Sequence, residues 1–194
     1  MILPIYAYGH AVLKKKAAPV DKDFPGLDEL IANMFETMDE APGVGLAAPQ
    51  IGLGIRLFVI DSSHMMEEGE EDQALRMVFI NAEKVEETGE MCSYEEGCLS
   101  IPEVTGDVDR PENIRLRFMN EKFEEKEVTF TGMNARVIQH EYDHIEGKLF
   151  TEYLKPIRRK LIKRKLDKIK KGEIDLKYKM RFVPASKLKK VKRR

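Results

Sequence analysis

The stretch Gln139-His140-Glu141-Tyr142-Asp143-His144-Ile145-Glu146-Gly147 holds two of the four histidines in the chain, four positions apart. On an α-helix that spacing stacks both imidazoles on one face, within reach of one metal ion. Glu141 then falls beside the ion, where a carboxylate can take a proton from an attacking water and later return it. Residue types and spacing together predict a hydrolytic metal site. Such a site takes three protein ligands and keeps a fourth position open, so the histidine pair needs one more donor.

The two cysteines, Cys92 and Cys98, are too few for a disulfide scaffold. Cys98 follows Gly97 in the run Glu95-Glu96-Gly97-Cys98-Leu99-Ser100-Ile101-Pro102, where a tight backbone and a thiolate make it the candidate third ligand; Cys92 has no such setting. A further stretch, Gly43-Val44-Gly45-Leu46-Ala47-Ala48-Pro49-Gln50, is small-residue rich and ends on an amide side chain. Its backbone can approach a ligand closely, and we expect a site loop there. It lacks a Gly-Lys-Ser/Thr ending and precedes a strand, which argues against a phosphate cradle.

Several elements must position these groups. Leu27, Leu30, Ile31, Met34, Phe35 and Met38 recur at helical spacing and predict an amphipathic helix before Pro42-Gly43. A strand is expected from 56 to 60, then an exposed connection from 61 to 73 in which His64 is solvated. Strands are expected at 76–81 and, beyond a turn, at 83–88; 114–119 and 126–130 read as a hairpin about Asn120-Glu121-Lys122. The ligand helix is expected to start near Gly132-Met133-Asn134 and to end at Gly147. Met133, Val137, His140, Glu141 and His144 share its pocket face, while Ile138, Tyr142 and Ile145 face other parts of the core. Pro156 opens a last helix that buries Ile162, Leu166 and Ile169; 174–183 is expected to be extended and 184–194 to be a mobile lysine-rich end. The fold class expected is α+β, with mostly antiparallel β-sheets around a central metal-binding helix. We divide the chain into a catalytic part, 1–155, and a basic C-terminal helix and tail, 156–194, packed on or extending from it.

With 194 residues, 42% hydrophobic and 35% charged, the composition is that of a globular, polar protein. No apolar run is long enough to span a bilayer, and Met1-Ile2-Leu3-Pro4-Ile5-Tyr6 has no secretory pattern. A soluble cytoplasmic protein without a membrane partner is expected. The net charge of -1 hides an asymmetry: residues 155–194 carry 19 Lys/Arg against 3 Asp/Glu, or +16, leaving -17 for the rest. A basic tail on an acidic body suits a polyanionic partner.

In order and spacing, Gly43 to Gln50, Glu96 to Ser100 and Gln139 to Gly147 resemble the three motifs of peptide deformylase. The resemblance implies removal of the formyl group from formyl-methionine of nascent polypeptides. It also implies one ferrous ion held by Cys98, His140 and His144, with zinc, nickel or cobalt able to substitute; ligand types alone would favour zinc. Glu141 is then the general acid/base, and the Gln50 amide and the Leu99 backbone N–H stabilise the oxyanion. Gly45, with Val44 and Val137, meets the substrate, and Arg110 pairs with Asp143. Ile145 and Ala82 stand where relatives often carry leucine and proline, and Thr105 lies where some place an arginine, so preferences beyond the first residue are not implied. The tail is expected to face ribosomal RNA near the nascent chain. Two other readings compete: a zinc endopeptidase completed by Glu152, and a nucleic-acid-binding protein with a structural metal. The first needs a tight reversal after Gly147; the second needs a fourth protein ligand that the sequence does not offer.

Overall fold

The computed structural model describes residues 1–66, 68–69 and 71–188; residues 189–194, most of the end expected to be mobile, lie outside the described residues. In chain order the main elements are β1 (Ile5–Tyr6), α1 (Leu27–Glu40), β2 (Gly45–Ala47), β3 (Leu57–Asp61), β4 (Arg76–Cys98) and β5 (Ile101–Met119). They continue with β6 (Glu125–Thr131), α2 (Gly132–Ile145), α3 (Pro156–Lys171) and β7 (Met180–Arg181). Strands β2-β3-β4-β5-β6 form one sheet in that order, antiparallel throughout. β1 and β7 form a separate parallel pair. The expected mixture of helices and largely antiparallel strands is what the chain adopts.

The apolar run Leu57-Phe58-Val59-Ile60 is buried on both faces of the sheet, which is why it does not alternate with polar residues. Leu57 and Val59 join Met34 and Met38 of α1 in one core cluster, whereas Phe58 and Ile60 join Ala135, Val137 and Ile138 of α2 in another. Phe58, Phe79, Phe118 and Phe130 pack ring against ring on the α2 side, centroids 4.5–5.7 Å apart along the chain of contacts. The helix bearing the histidines is thereby seated on a stiff aromatic floor. A third cluster joins Ile162, Leu166 and Ile169 of α3 to Ile101, Val104 and Val108 of β5.

Four local expectations are corrected. The expected site loop is the strand β2 followed by a single 3-10 turn, Ala48–Ile51. The turn expected between 81 and 83 is a bulge inside the continuous 23-residue strand β4. Asn81 adopts φ 53° there, and its side chain accepts from the Val20 N–H at 2.7 Å and donates to the Val20 carbonyl at 2.8 Å. The strand therefore bends without breaking. Finally, Gly97 makes no tight turn but lies in β4 opposite Thr105, and of the stretch 174–183 only Met180–Arg181 is strand. α2 ends close to expectation, with Gly147 at φ +73°; a β-carbon there would sit 2.8 Å from the Lys14 backbone, so this crossing requires glycine.

Candidate metal centre

α2 carries His140 and His144 one turn apart, and the end of β4 brings Cys98 to meet them. The donor atoms of Cys98, His140 and His144 all lie within 4.8 Å of one another. Cys98 Sγ is 3.3 Å from His144 Nε2, and the two imidazoles stand edge to face with centroids 5.1 Å apart. A tetrahedral shell with bonds of roughly 2.0–2.3 Å sets its donors about 3.3–3.8 Å apart, so one divalent ion fits with small side-chain adjustments. The chemistry of the set, one soft thiolate and two imidazoles, suits a transition metal. Among the described residues no second group of this kind occurs. Cys92 is exposed and lies apart from the cluster.

The site rests on a buried ionic lattice that sequence reasoning only partly identified. Glu96 accepts from Arg110 Nε and Nη2 at 2.6 and 2.9 Å, from Arg136 Nη1 at 3.1 Å, and bonds His140 Nδ1 at 3.0 Å. That last bond commits Nδ1 to Glu96 and leaves Nε2 for the ion. The Arg110–Asp143 pair expected from the resemblance is present at 2.7 Å, and Asp143 also accepts from the Tyr153 hydroxyl at 3.0 Å. Glu96 lies within the motif around Cys98, and that motif alone gives it no role. Its signal was an acid next to Gly97-Cys98 with an arginine, Arg110, available to face it across a hairpin. Arg136, one turn before His140 on α2, could have been found by the same helical spacing that found His144.

These surroundings set charge states. Burial pushes the Glu96 carboxyl up, but bonds from Arg110 and His140 outweigh it and hold the group well below the usual carboxylate range. Burial and the nearby His140 charge keep His144 far below its ordinary value, in the neutral form a metal needs. Burial lowers His140 too, but its bonds to Cys98 and Glu96 prevail and raise it well above its ordinary value; a cation held there would take the place of that proton. Glu141 differs: burial, together with Glu96 and Asp143, pushes its carboxyl up to about 7 against the pull of His140 and Arg110. Its Oε2 is buried and has no hydrogen-bond partner.

The remaining expected site residues gather round one cavity of about 820 Å³, whose wall includes Val44, Gly45, Gln50, Leu99, Val137 and Glu141. That volume suits a small-molecule or short-peptide site. Of the α2 face expected to line it, Val137, His140 and Glu141 do so, whereas Met133 and His144 do not. Gln50 is buried; its Oε1 accepts from the Ala47 N–H at 2.7 Å and its Nε2 points at Cys98 Sγ, 3.5 Å away. The amide is thus held with its donor end toward the metal cluster. Glu152, the alternative ligand, is half exposed and occupied with Lys14 Nζ at 2.6 Å and the Leu149 N–H at 2.7 Å. Neither the endopeptidase nor the closed structural-metal reading finds its missing ligand among the described residues. The segment Asp175–Tyr178 also lines the cavity, a contribution for which the sequence carried no signal.

Comparison with known proteins agrees with this geometry. The family model described as polypeptide deformylase matches residues 2–160. The peptide deformylase of Christiangramia forsetii is 54% identical over 96% of this chain and 99% of that protein, and the one from Salinibacter ruber 50% identical over 92% and 93%. The crystal structure of a peptide deformylase from Legionella pneumophila superposes with a TM-score of 0.77 at 39% identity, covering 89% of this chain and 98% of that one. No helix among the described residues is long and apolar enough to cross a membrane. A His/His/Cys metal-binding group and an unpartnered buried carboxylate thus meet in the cavity of a chain that belongs to the polypeptide deformylase family, an enzyme that removes N-formyl groups.

Proposed function

We propose that Cys98, His140 and His144 hold a ferrous ion, replaceable by zinc, nickel or cobalt, and that Glu141 carries the proton in formyl-amide hydrolysis. The observation that carries this reading is the buried, unpartnered Oε2 of Glu141 in a cavity whose wall also includes Cys98 and His140. When bound, the ion supplies Lewis-acid polarisation and lowers the pKa of water at its open position. A carboxyl near 7 can both accept a proton from the attacking water and donate it to the departing amine at neutral pH. With a cation held by the three donors, the Glu141 carboxyl would be drawn below that value, which would favour its accepting role first.

The other residues orient and stabilise. As charge builds on the formyl oxygen, the Gln50 Nε2 and the Leu99 N–H are the donors in place to meet it. Val44 and Val137 give the cavity apolar walls for the methionine side chain. β2 is the end strand of its sheet, so its outer edge offers backbone groups to an extended peptide, with Gly45 foremost. In this reading residues 1–155 carry the chemical groups, and the basic 156–194 segment meets ribosomal RNA near the exit of the nascent chain, in the cytoplasm. Its +16 charge and the -17 of the rest favour that orientation electrostatically.

The test is formate release from formyl-methionyl peptides, run anaerobically with ferrous ion and with a chelator control. Turnover that is lost on chelation and regained on adding the ion is the expected result. Release that persists after complete removal of metal would refute the assignment.

A further inference from the structure

Cys98 closes β4, and the next two residues, Leu99 and Ser100, turn the chain into β5 so that Cys98 faces Ile101. The carbonyls of such a turn lie outside the ladder and need partners elsewhere. Neither Leu99 nor Ser100 has a positive φ, so the turn is not one of the primed types whose twist matches the flanking strands. It is held from outside instead. The Tyr8 N–H donates to the Ser100 carbonyl at 2.8 Å, and the Tyr178 hydroxyl donates to the Leu99 carbonyl at 2.8 Å. Both donors lie two residues from the strands that pair as β1 and β7, so the two ends of the chain clamp the turn together. Asp175, Leu176, Lys177 and Tyr178 also form part of the cavity wall. All of this segment lies beyond residue 160, where the family match ends.

We propose that Tyr178 is a positioning residue for the hydrolysis: its hydroxyl fixes the Leu99 backbone so that the Leu99 N–H is aimed at the reacting formyl oxygen. The inference rests on reading Leu99 as an oxyanion donor. The N–H and carbonyl of Leu99 flank one Cα, separated by only two soft torsions. Cys98 anchors the preceding peptide at the metal cluster and Tyr178 anchors the following one, which leaves the N–H between them little freedom. A donor fixed beforehand stabilises developing charge without reorganising during the reaction, and that is the source of its effect. Burial and the nearby Cys98 and Glu103 raise the Tyr178 phenol above its ordinary range, so it keeps the proton that it donates.

Tyr178→Phe keeps the ring that packs on the core and removes only the hydroxyl. With one hydrogen bond worth about 0.5–1.5 kcal/mol, kcat should fall about 2- to 13-fold while KM stays within about twofold. Ion content should not change. In the zinc-loaded protein, amide hydrogen exchange at Leu99 and Ser100 should quicken by a similar factor, while Tyr94 and Val108 in the β4–β5 ladder keep their protection. Unchanged kcat, or unchanged exchange at Leu99, overturns the proposal. So does an activity loss matched by loss of the ion or by faster exchange along the whole hairpin, since Tyr178 would then act only structurally. If the wild-type chain releases no formate, the functional reading falls and this inference with it; an active wild type beside an unaltered variant removes this inference alone.

Discussion

Gly45 and Glu141 are in such close apposition that a β-carbon on Gly45 would stand 2.5 Å from Oε1 and 2.6 Å from Cδ and Cγ of Glu141. The family resemblance assigns Gly45 to the substrate backbone; the structure adds the Glu141 carboxylate as a second reason for glycine. Gly45→Ala should therefore push Glu141 out of line. We expect kcat to fall by about 10² to 10⁴, the range of general acid/base contributions, with metal content intact. Elemental analysis alongside steady-state kinetics checks both parts, and near-normal kcat would mean that Glu141 can do its work from a displaced position.

Cys98→Ala, His140→Ala and His144→Ala should each lose most of the bound ion, because each removes one of the three clustered donors. Cys92→Ala should not, since Cys92 is exposed and outside the cluster. Glu141→Gln should retain the ion and lose turnover. Full occupancy in Cys98→Ala would sink the ligand assignment.

Arg110 joins two buried carboxylates, Glu96 and Asp143, with side chains 6%, 5% and 11% exposed respectively. Removing the cation leaves Asp143 with no charged partner and Glu96 with only Arg136 and His140, so Arg110→Ala should destabilise the protein by about 3–5 kcal/mol. Glu96→Gln is gentler: it weakens the bond that orients His140 and should reduce metal affinity by about 10- to 100-fold. Denaturant melts and competition with a chromophoric chelator measure the two effects. If Arg110→Ala melts like the wild type, the lattice contributes nothing net.

On α3, Lys160, Lys163 and Arg164 are exposed, whereas Lys165 is engaged with Glu103 and Arg158 with the Thr105 carbonyl. Lys170 is a poorer probe, because its stem lies over Gly9. Charge reversal at Lys160, Lys163 and Arg164 should weaken co-sedimentation with ribosomes, and the wild-type association should itself decline as salt rises. Hydrolysis of a small formyl peptide should be unaffected. Equal co-sedimentation of variant and wild type across a salt series would leave α3 as a solvated face.

The ligand set was legible because its grammar is local: His140 and His144 are four apart on one helix, and Cys98 sits in a short motif of its own. α1 and α3 were legible for the same reason, each having one apolar stripe. α2 was harder, since 9 of its 14 residues are buried and many are charged or polar, so the apolar period is hidden. The bulge at Asn81 looked like a turn because a polar residue interrupts an apolar run, and only the contact with Val20, 61 residues away, shows otherwise. Tyr178 was invisible for the extreme form of that reason: its partner Leu99 is 79 residues away, and a tyrosine in a basic tail has no local pattern that points to it.

The pairing of Ile5 and Tyr6 with Met180 and Arg181 sets an order of events in the making of this protein. Synthesis runs from the N-terminus, and the sheet, α2 and the three metal donors are all complete by residue 145. β1, however, must wait for residues 180–181 before its partner exists. Until then the Leu99 carbonyl has no tyrosine to meet it and the cavity lacks the Asp175–Tyr178 wall. The cavity wall is therefore complete only once synthesis has passed residue 181, well after the three clustered donors have been made.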